Sequence, residues 1–241
     1  MTTLCLDFGN TRLKAAVFEN DNIKDVHVLS EDPTEHLKQI IDTYKPGHSI
    51  LSSVVHHPVE IEELLEATTS FHKLSNTSKL PFTIPVGKPE SVGADRLAIC
   101  AASVYLFPGR NNLAIGMGSC ITFNFINQQH EFLGGAISPG MEMRFRAMHD
   151  YTAMLPLVKA DWNVPLIGYD TRTNLQTGVV MGIANEIDGF IERYSEKYGN
   201  FNVLLTGGDI PFFEPHLKNK IFADPHLIFK GLYAISQINH A

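Results

Sequence analysis

Two stretches of this chain can be laid on one another, and that repetition constrains its architecture more than any single motif. Leu4–Val17 (LCLDFGNTRLKAAV) and Leu113–Ile126 (LAIGMGSCITFNFI) align without a gap, which sets Gly118 opposite Gly9 and Ser119 opposite Asn10. Each reads as strand, glycine-polar turn, strand. A supersecondary unit that recurs in this way sets the plan of the whole molecule. The plan is a chain made of two similar α/β halves.

The remaining pattern fits that plan. In the first half a third strand is expected over 23–29, a helix opened by Pro33 and running to about Tyr44, a buried strand over 49–55, a short helix over 59–67 and a short strand over 71–74. Residues 75–92 are rich in Ser, Thr, Lys, Pro and Gly, and Pro81, Pro85 and Pro89 discourage regular structure. An apolar helix then runs from Gly93-Ala94-Asp95-Arg96 to about Leu106. In the second half a third strand is expected over 131–137, a helix from about Pro139-Gly140, a long helix over 174–198, a strand over 201–205 and a closing helix over 225–238. The segment Pro108–Asn112 is the expected boundary. It gives an N-terminal lobe, 1–110, and a C-terminal lobe, 111–241, each a mixed sheet with helices packed on it and a cleft between them.

Composition narrows the function classes. With 26 acidic and 19 basic residues the net charge is −7, which excludes a general nucleic-acid binder. No apolar run reaches the roughly 18 residues needed to span a bilayer. The N-terminus has no basic region ahead of an apolar one, so no signal peptide is read. Cys5, Cys100 and Cys120 lie far apart without CxxC spacing, a pattern of reduced buried thiols in a cytoplasmic protein.

Several segments carry groups suited to phosphate chemistry. Asp7-Phe8-Gly9-Asn10-Thr11 with Lys14 is a strand-to-strand turn in which Gly9 allows a tight turn and close approach of a ligand. Asn10 and Thr11 can donate to phosphate oxygens, Lys14 supplies a point charge, and Asp7 can hold Mg2+ through water. A polar hairpin turn with an exposed lysine would look the same. Gly116-Met117-Gly118-Ser119 offers a second backbone cradle, and Thr206-Gly207-Gly208-Asp209 a place where a nucleobase or ribose can lie on backbone. The competing readings are a glycine β-turn and a sharp turn with Asp209 as helix cap. Asp95 and Arg96 at a helix start could accept a proton from a hydroxyl and clamp an anion, or could be a cap and a surface charge. The methionine-rich helix after Gly140 reads as core filler, and His56-His57 shows no metal-ligand spacing. Neither a P-loop nor a dinucleotide fingerprint is present.

Taken in order, these motifs resemble the type III pantothenate kinases of the acetate kinase/sugar kinase/Hsp70/actin superfamily. The resemblance spans nearly the whole chain: Asp7-x-Gly9-Asn10-Thr11-x-x-Lys14, Ser52-Ser53-Val54-Val55, Pro89-Glu90-Ser91-x-Gly93-Ala94-Asp95-Arg96, Gly118-Ser119-x-x-Thr122, Gly134-Gly135-x-Ile137-x-Pro139-Gly140, Thr152-Ala153-x-Leu155-Pro156, Asn174-x-x-x-Gly178-x-x-x-Gly182 and Gly207-Gly208-Asp209. It implies a two-lobed ribonuclease H-like (actin-like ATPase) duplication. It also implies ATP-dependent phosphorylation of pantothenate to 4′-phosphopantothenate in coenzyme A biosynthesis, by a homodimer using Mg2+ and a monovalent cation, K+ or NH4+.

By the same resemblance Asp95 is the base, and Gly93, Arg96, Val55 and Thr152 belong to the pantothenate site. Thr173, from the loop before the long helix, reaches the partner subunit's pantothenate. Asp7, Gly9, Asn10, Thr11 and Lys14 form the first phosphate motif, Gly118 and Ser119 the second, and Gly207 and Gly208 border adenosine. Three positions depart from the family pattern. Gly116 stands where an acidic residue opens the second phosphate motif. Asn124 stands where an aspartate is associated with the monovalent cation; its amide oxygen could ligate K+ without the charge. Val86 replaces a tyrosine ahead of the Pro-Glu segment. These departures motivate two alternatives, a weakened or regulatory homologue and a kinase of the same fold acting on another small hydroxyl substrate.

Overall fold

In the computed structural model, which describes residues 2–85, 87–161 and 163–240, the duplication is carried by two five-stranded mixed sheets. The first holds β1 (Thr2–Phe8), β2 (Leu13–Glu19), β3 (Asn22–Val28), β4 (His48–Ser53) and β5 (Ser70–Lys73), in the order β3-β2-β1-β4-β5. The second holds β6 (Asn112–Met117), β7 (Cys120–Ile126), β8 (Phe132–Pro139), β9 (Asn202–Gly207) and β10 (Phe222–Ala223), in the order β8-β7-β6-β9-β10. The two orders are the same order. In each, the opening strand pairs antiparallel with its hairpin partner and parallel with the strand that follows a helix.

The chain forms two compact units that interleave in sequence: residues 1–109, 129–133 and 226–241 in one, and 110–128 and 134–225 in the other. The first change of unit falls between Gly109 and Arg110, and of the three later ones two return a short segment and the last helix to the first unit.

Local chemistry explains the elements. Between β2 and β3, Asn20 and Asp21 both take positive φ, 47° and 67°, the two-residue turn whose twist matches its strands. The helix α1 (Pro33–Tyr44) has Pro33 in its first turn and Asp32 as N-cap, accepting from Glu35 N–H. With α2 (Val59–Thr68) it covers one face of the first sheet, where Leu4, Leu6, Phe8, Ala15, Val17 and Leu51 pack against Leu37, Ile40, Ile61 and Leu65. The alternate residues point to the opposite face. That face is covered by α3 (Ala94–Leu106) and α7 (Leu227–Asn239). Phe18 of β2 stacks on Tyr233 of α7 at 4.5 Å between ring centroids. A Cβ at Gly231 would lie 1.8 Å from the Ala98 carbonyl oxygen, so the two helices cross at backbone distance.

In the second unit, α4 (Met141–Asp150) and α5 (Thr171–Tyr198) follow β8, and the short α6 (Ile210–Phe213) follows β9. The expected core role of α4 is not what forms: Phe145 is its buried residue, and Met143 is exposed. The three cysteines are free, with Cys5 and Cys100 buried and Cys120 only partly so. No helix among the described residues is long and apolar enough to cross a membrane.

Candidate functional site

In the first unit Asp7 and Lys14 lie on the sheet face covered by α3 and α7, Asp95 stands in the first turn of α3, and Val55 packs instead with the core on the α1–α2 face. Asp7 on β1 lies opposite Lys14 on β2 and beside Ser52 on β4. The three form a row across the sheet on its α3 side. Burial pushes the Asp7 carboxyl up to about 6; Lys14 opposes the rise and the Asp95 charge adds to it. Asp95 of α3 is therefore electrically coupled to the Asp7–Lys14 pair.

Gly93 is the N-cap of α3, which displaces the cap role considered for Asp95. Asp95 sits in the first turn, where the helix dipole favours a carboxylate. A Cβ on Gly93 would lie 2.6 Å from Asp95 Oδ1, so the missing side chain at 93 is what lets the carboxylate fold back there. Arg96 is half-buried, its guanidinium 5.5 Å from the Phe132 ring centroid. The Val55 carbonyl, just beyond β4, accepts from Ser53 Oγ at 2.9 Å. His57 Nε2 pairs with Glu62 at 2.8 Å, which accounts for it structurally.

The turn at 9–12 is closed by Gly9 N–H donating to the Arg12 carbonyl at 3.2 Å. Gly9 has no positive φ, and a Cβ there would meet only that carbonyl, at 3.7 Å. The tight turn thus does not require glycine. The exposed Asn10 and Thr11 follow it.

In the second unit the corresponding turn is one residue shorter. Met117 pairs with Ile121, and Gly118 N–H donates to the Cys120 carbonyl at 3.1 Å. Gly118 and Ser119 are exposed, and Gly140 braces them from beneath: its N–H donates to the Ser119 carbonyl at 3.0 Å, and a Cβ there would lie 2.0 Å from the Gly118 carbonyl. Arg144 ties this wall together, donating to the Pro139 carbonyl, to Ser138 Oγ and to Glu186.

The paired glycines separate by role. Gly207 has φ +113°, and a Cβ would collide with the Met117 backbone at 1.9 Å, so the fold itself requires it. Gly208 meets nothing within 4 Å, and nothing in the protein demands a glycine there. Asp209 is the N-cap of α6 without a side-chain cap bond; burial, then Glu142, raises its pKa.

Asn124 is fully buried on β7. Its Nδ2 donates to the Ala114 carbonyl at 3.1 Å and to Thr122 Oγ1 at 3.2 Å. Thr152 is exposed, and its hydroxyl donates to the Met148 carbonyl at 2.6 Å. Thr173 is not on a loop. The helix begins three residues earlier than its periodicity implies, and Thr173 closes a capping box with Asp170, its N–H donating to Asp170 Oδ1 at 2.7 Å and its hydroxyl at 2.8 Å. Val86 lies outside the described residues. Sequence reasoning left Ser52 and Gly140 without roles of their own; their neighbours in space give the signal.

A family model described as type III pantothenate kinase matches residues 3–193. A type III pantothenate kinase of Flavobacterium johnsoniae is 38% identical, over 95% of this chain and 95% of its own length. One of Cytophaga hutchinsonii is 39% identical, over 98% and 99%. Among solved structures, a Campylobacter jejuni protein named as a transcriptional activator of the Baf family matches with a TM-score of 0.62 at 22% identity, over 98% of each chain. A glucokinase of an Antarctic psychrotroph matches with a TM-score of 0.52 at 10% identity, over 98% and 99%. At such identities the solved structures speak for the fold alone.

Proposed function

This chain belongs to the type III pantothenate kinase family, and from that premise we propose that it transfers the γ-phosphoryl group of ATP to the hydroxyl of pantothenate, giving 4′-phosphopantothenate for coenzyme A biosynthesis. The observation that carries the reading is the row of Lys14 and Asp7 with Asp95 close enough to raise the Asp7 pKa. Phosphoryl transfer asks a protein mainly for positioning and charge neutralisation. A buried carboxylate paired with a lysine, and within electrostatic reach of a second carboxylate, suits both sides of that requirement.

Asp95 orients the pantothenate hydroxyl and takes its proton as the oxygen bonds to the γ-phosphorus and the bond to the β-phosphate oxygen breaks, releasing ADP. Arg96 and Gly93, with Val55 and Thr152, hold pantothenate. Gly9, Asn10, Thr11 and Lys14 take phosphate oxygens in one unit, Gly118 and Ser119 in the other. Gly208 gives adenosine a surface without side chain, set in place by the obligatory Gly207. The donor set at Asp7 fits Mg2+ held through water. Bound there, the ion would neutralise charge on the phosphates.

At Asn124 the amide N–H groups are taken by the Ala114 carbonyl and the Thr122 hydroxyl. No step of this reading passes through a monovalent cation.

Met143, Tyr151, Met154, Leu166, Ile167 and Tyr169, on and beyond α4, are exposed large apolar residues, and to this stretch we assign the contact of a homodimer. The Thr173 capping box orders the start of α5, from which the partner's pantothenate would be reached. A cytoplasmic location follows from the free thiols and the substrate class.

The test is ADP release from ATP and Mg2+ with and without pantothenate. Pantothenate-dependent release supports the reading. Release that depends instead on another small hydroxyl compound moves the substrate, and no release from a folded protein overturns the kinase.

A further inference from the structure

Five buried side-chain atoms among the described residues of the first unit make no hydrogen bond, and one of them, Ser52 Oγ, lies in the row already described. Ser52 is 1% exposed, and its Oγ makes no hydrogen bond. Its neighbour Ser53 donates to the Val55 carbonyl, and Ser49 on the same strand pairs with Thr69 at 2.5 Å. The hydroxyls before and after it on β4 are thus satisfied, and the one level with Asp7 is not. Ser52 and Asp7 are register partners on adjacent parallel strands, and their side chains stand on the same face. Strands in a sheet lie about 4.8 Å apart, so a rotation about one side-chain bond brings a serine hydroxyl to the carboxylate beside it.

A buried hydroxyl without a partner destabilises the fold that contains it. Alanine would fill the position without that cost. The serine therefore marks a hydrogen bond made in a state other than the one without nucleotide. We propose that Ser52 is a positioning residue for Asp7: when Mg2+ and nucleotide bind, Ser52 Oγ–H donates to the Asp7 carboxylate and fixes the oxygen that faces the metal's water shell. Lys14 holds Asp7 from β2 and Ser52 from β4, so the carboxylate is clamped along the row. This rests on the assignment of Asp7 to the metal–nucleotide site.

The experiment compares the unchanged protein with Ser52→Ala and Ser52→Thr. Thermal unfolding without ligand is followed by calorimetric titration with ADP in the presence and absence of Mg2+. Ser52→Ala is expected to unfold at the same or a higher temperature than the unchanged protein. It should bind Mg2+–ADP roughly tenfold more weakly, the scale of one hydrogen bond to a charged group, while metal-free ADP binds as before. Ser52→Thr, which keeps the hydroxyl, should recover most of the metal-dependent affinity. A lower unfolding temperature for Ser52→Ala with unchanged Mg2+–ADP affinity would make the hydroxyl structural and overturn the proposal. Equal loss with and without Mg2+ would overturn it as well. Failure of the unchanged protein to bind ADP would instead overturn the kinase reading, and this proposal with it.

Discussion

The two hairpins that open the two sheets share a frame and differ in charge. In the first, the pair next to the turn-side end of β1 is Asp7 with Lys14; in the second, the pair at the same place is Gly116 with Thr122. One frame thus carries an acid and a base at the position where the other carries no charge at all. The difference teaches that duplication conserved the cradle and not the chemistry. The strand order and the glycine turn recur in both units, whereas the Asp7–Lys14 pair and Asp95 all sit in the first, and the glycines that brace a turn, Gly140 and Gly207, sit in the second. In the proposed reading the second unit contributes backbone surface, through Ser119 and Gly208.

If the chemistry is so divided, the largest effect belongs to Asp95. Asp95→Asn should lower kcat by roughly 10²–10⁴ with the protein still folded, the size expected of a positioned base. An unchanged kcat in a steady-state assay would remove Asp95 from the reaction and the asymmetry with it.

The next effect is on stability and has the opposite sign. An acid whose folded pKa is about 6 against an ordinary 3.8 keeps its proton longer in the folded state. Folding therefore loses stability as pH rises from about 4 to about 6, and the loss persists above. Asp7→Asn without ligand should gain up to about 3 kcal/mol at pH 8 by denaturant unfolding, and gain little at pH 4, while losing activity. A variant less stable than the parent at pH 8 would mean that Asp7 is a structural charge.

Lys14→Ala should raise KM for ATP roughly tenfold, about 1.4 kcal/mol, and leave KM for pantothenate within about twofold. The reverse pattern in substrate titrations would place the lysine at the other substrate. The smallest effect is the one expected of the neutral hairpin. Replacing K+ by Na+ should change turnover by less than about twofold, because the Asn124 amide already satisfies the oxygens around it. A requirement for K+ would show that the second hairpin takes part through an ion after all.

Much of this was legible in the chain. Hydrophobic alternation located the strands, and Pro33 marked the start of α1 to the residue. The repeat pointed to two matching hairpins, although its ungapped register fails just past the glycine, where the second turn is a residue shorter. Asp7, Lys14, Asp95 and Arg96 were visible as charges beside glycines. What stayed hidden depends on neighbours distant in sequence. Gly207 and Gly208 look alike until the Met117 backbone is seen against one of them. Asp95 looked like a cap until Gly93 took that place. Ser52 is ordinary in sequence, and only the strand beside it gives it a setting. The exposed Met143 of α4 looked like core because helical spacing reports a face and not what covers it.

The return of α7 to the first unit has a consequence for how the chain is made. The sheet bearing Asp7 and Lys14 is synthesised early, yet the face on which those residues lie is closed by a helix near the end of the chain, where Gly231 meets Ala98 and Tyr233 meets Phe18. Until α7 leaves the ribosome, α3 alone covers that face, and the contacts that complete it span most of the sequence. The first unit to be translated is among the last to be completed.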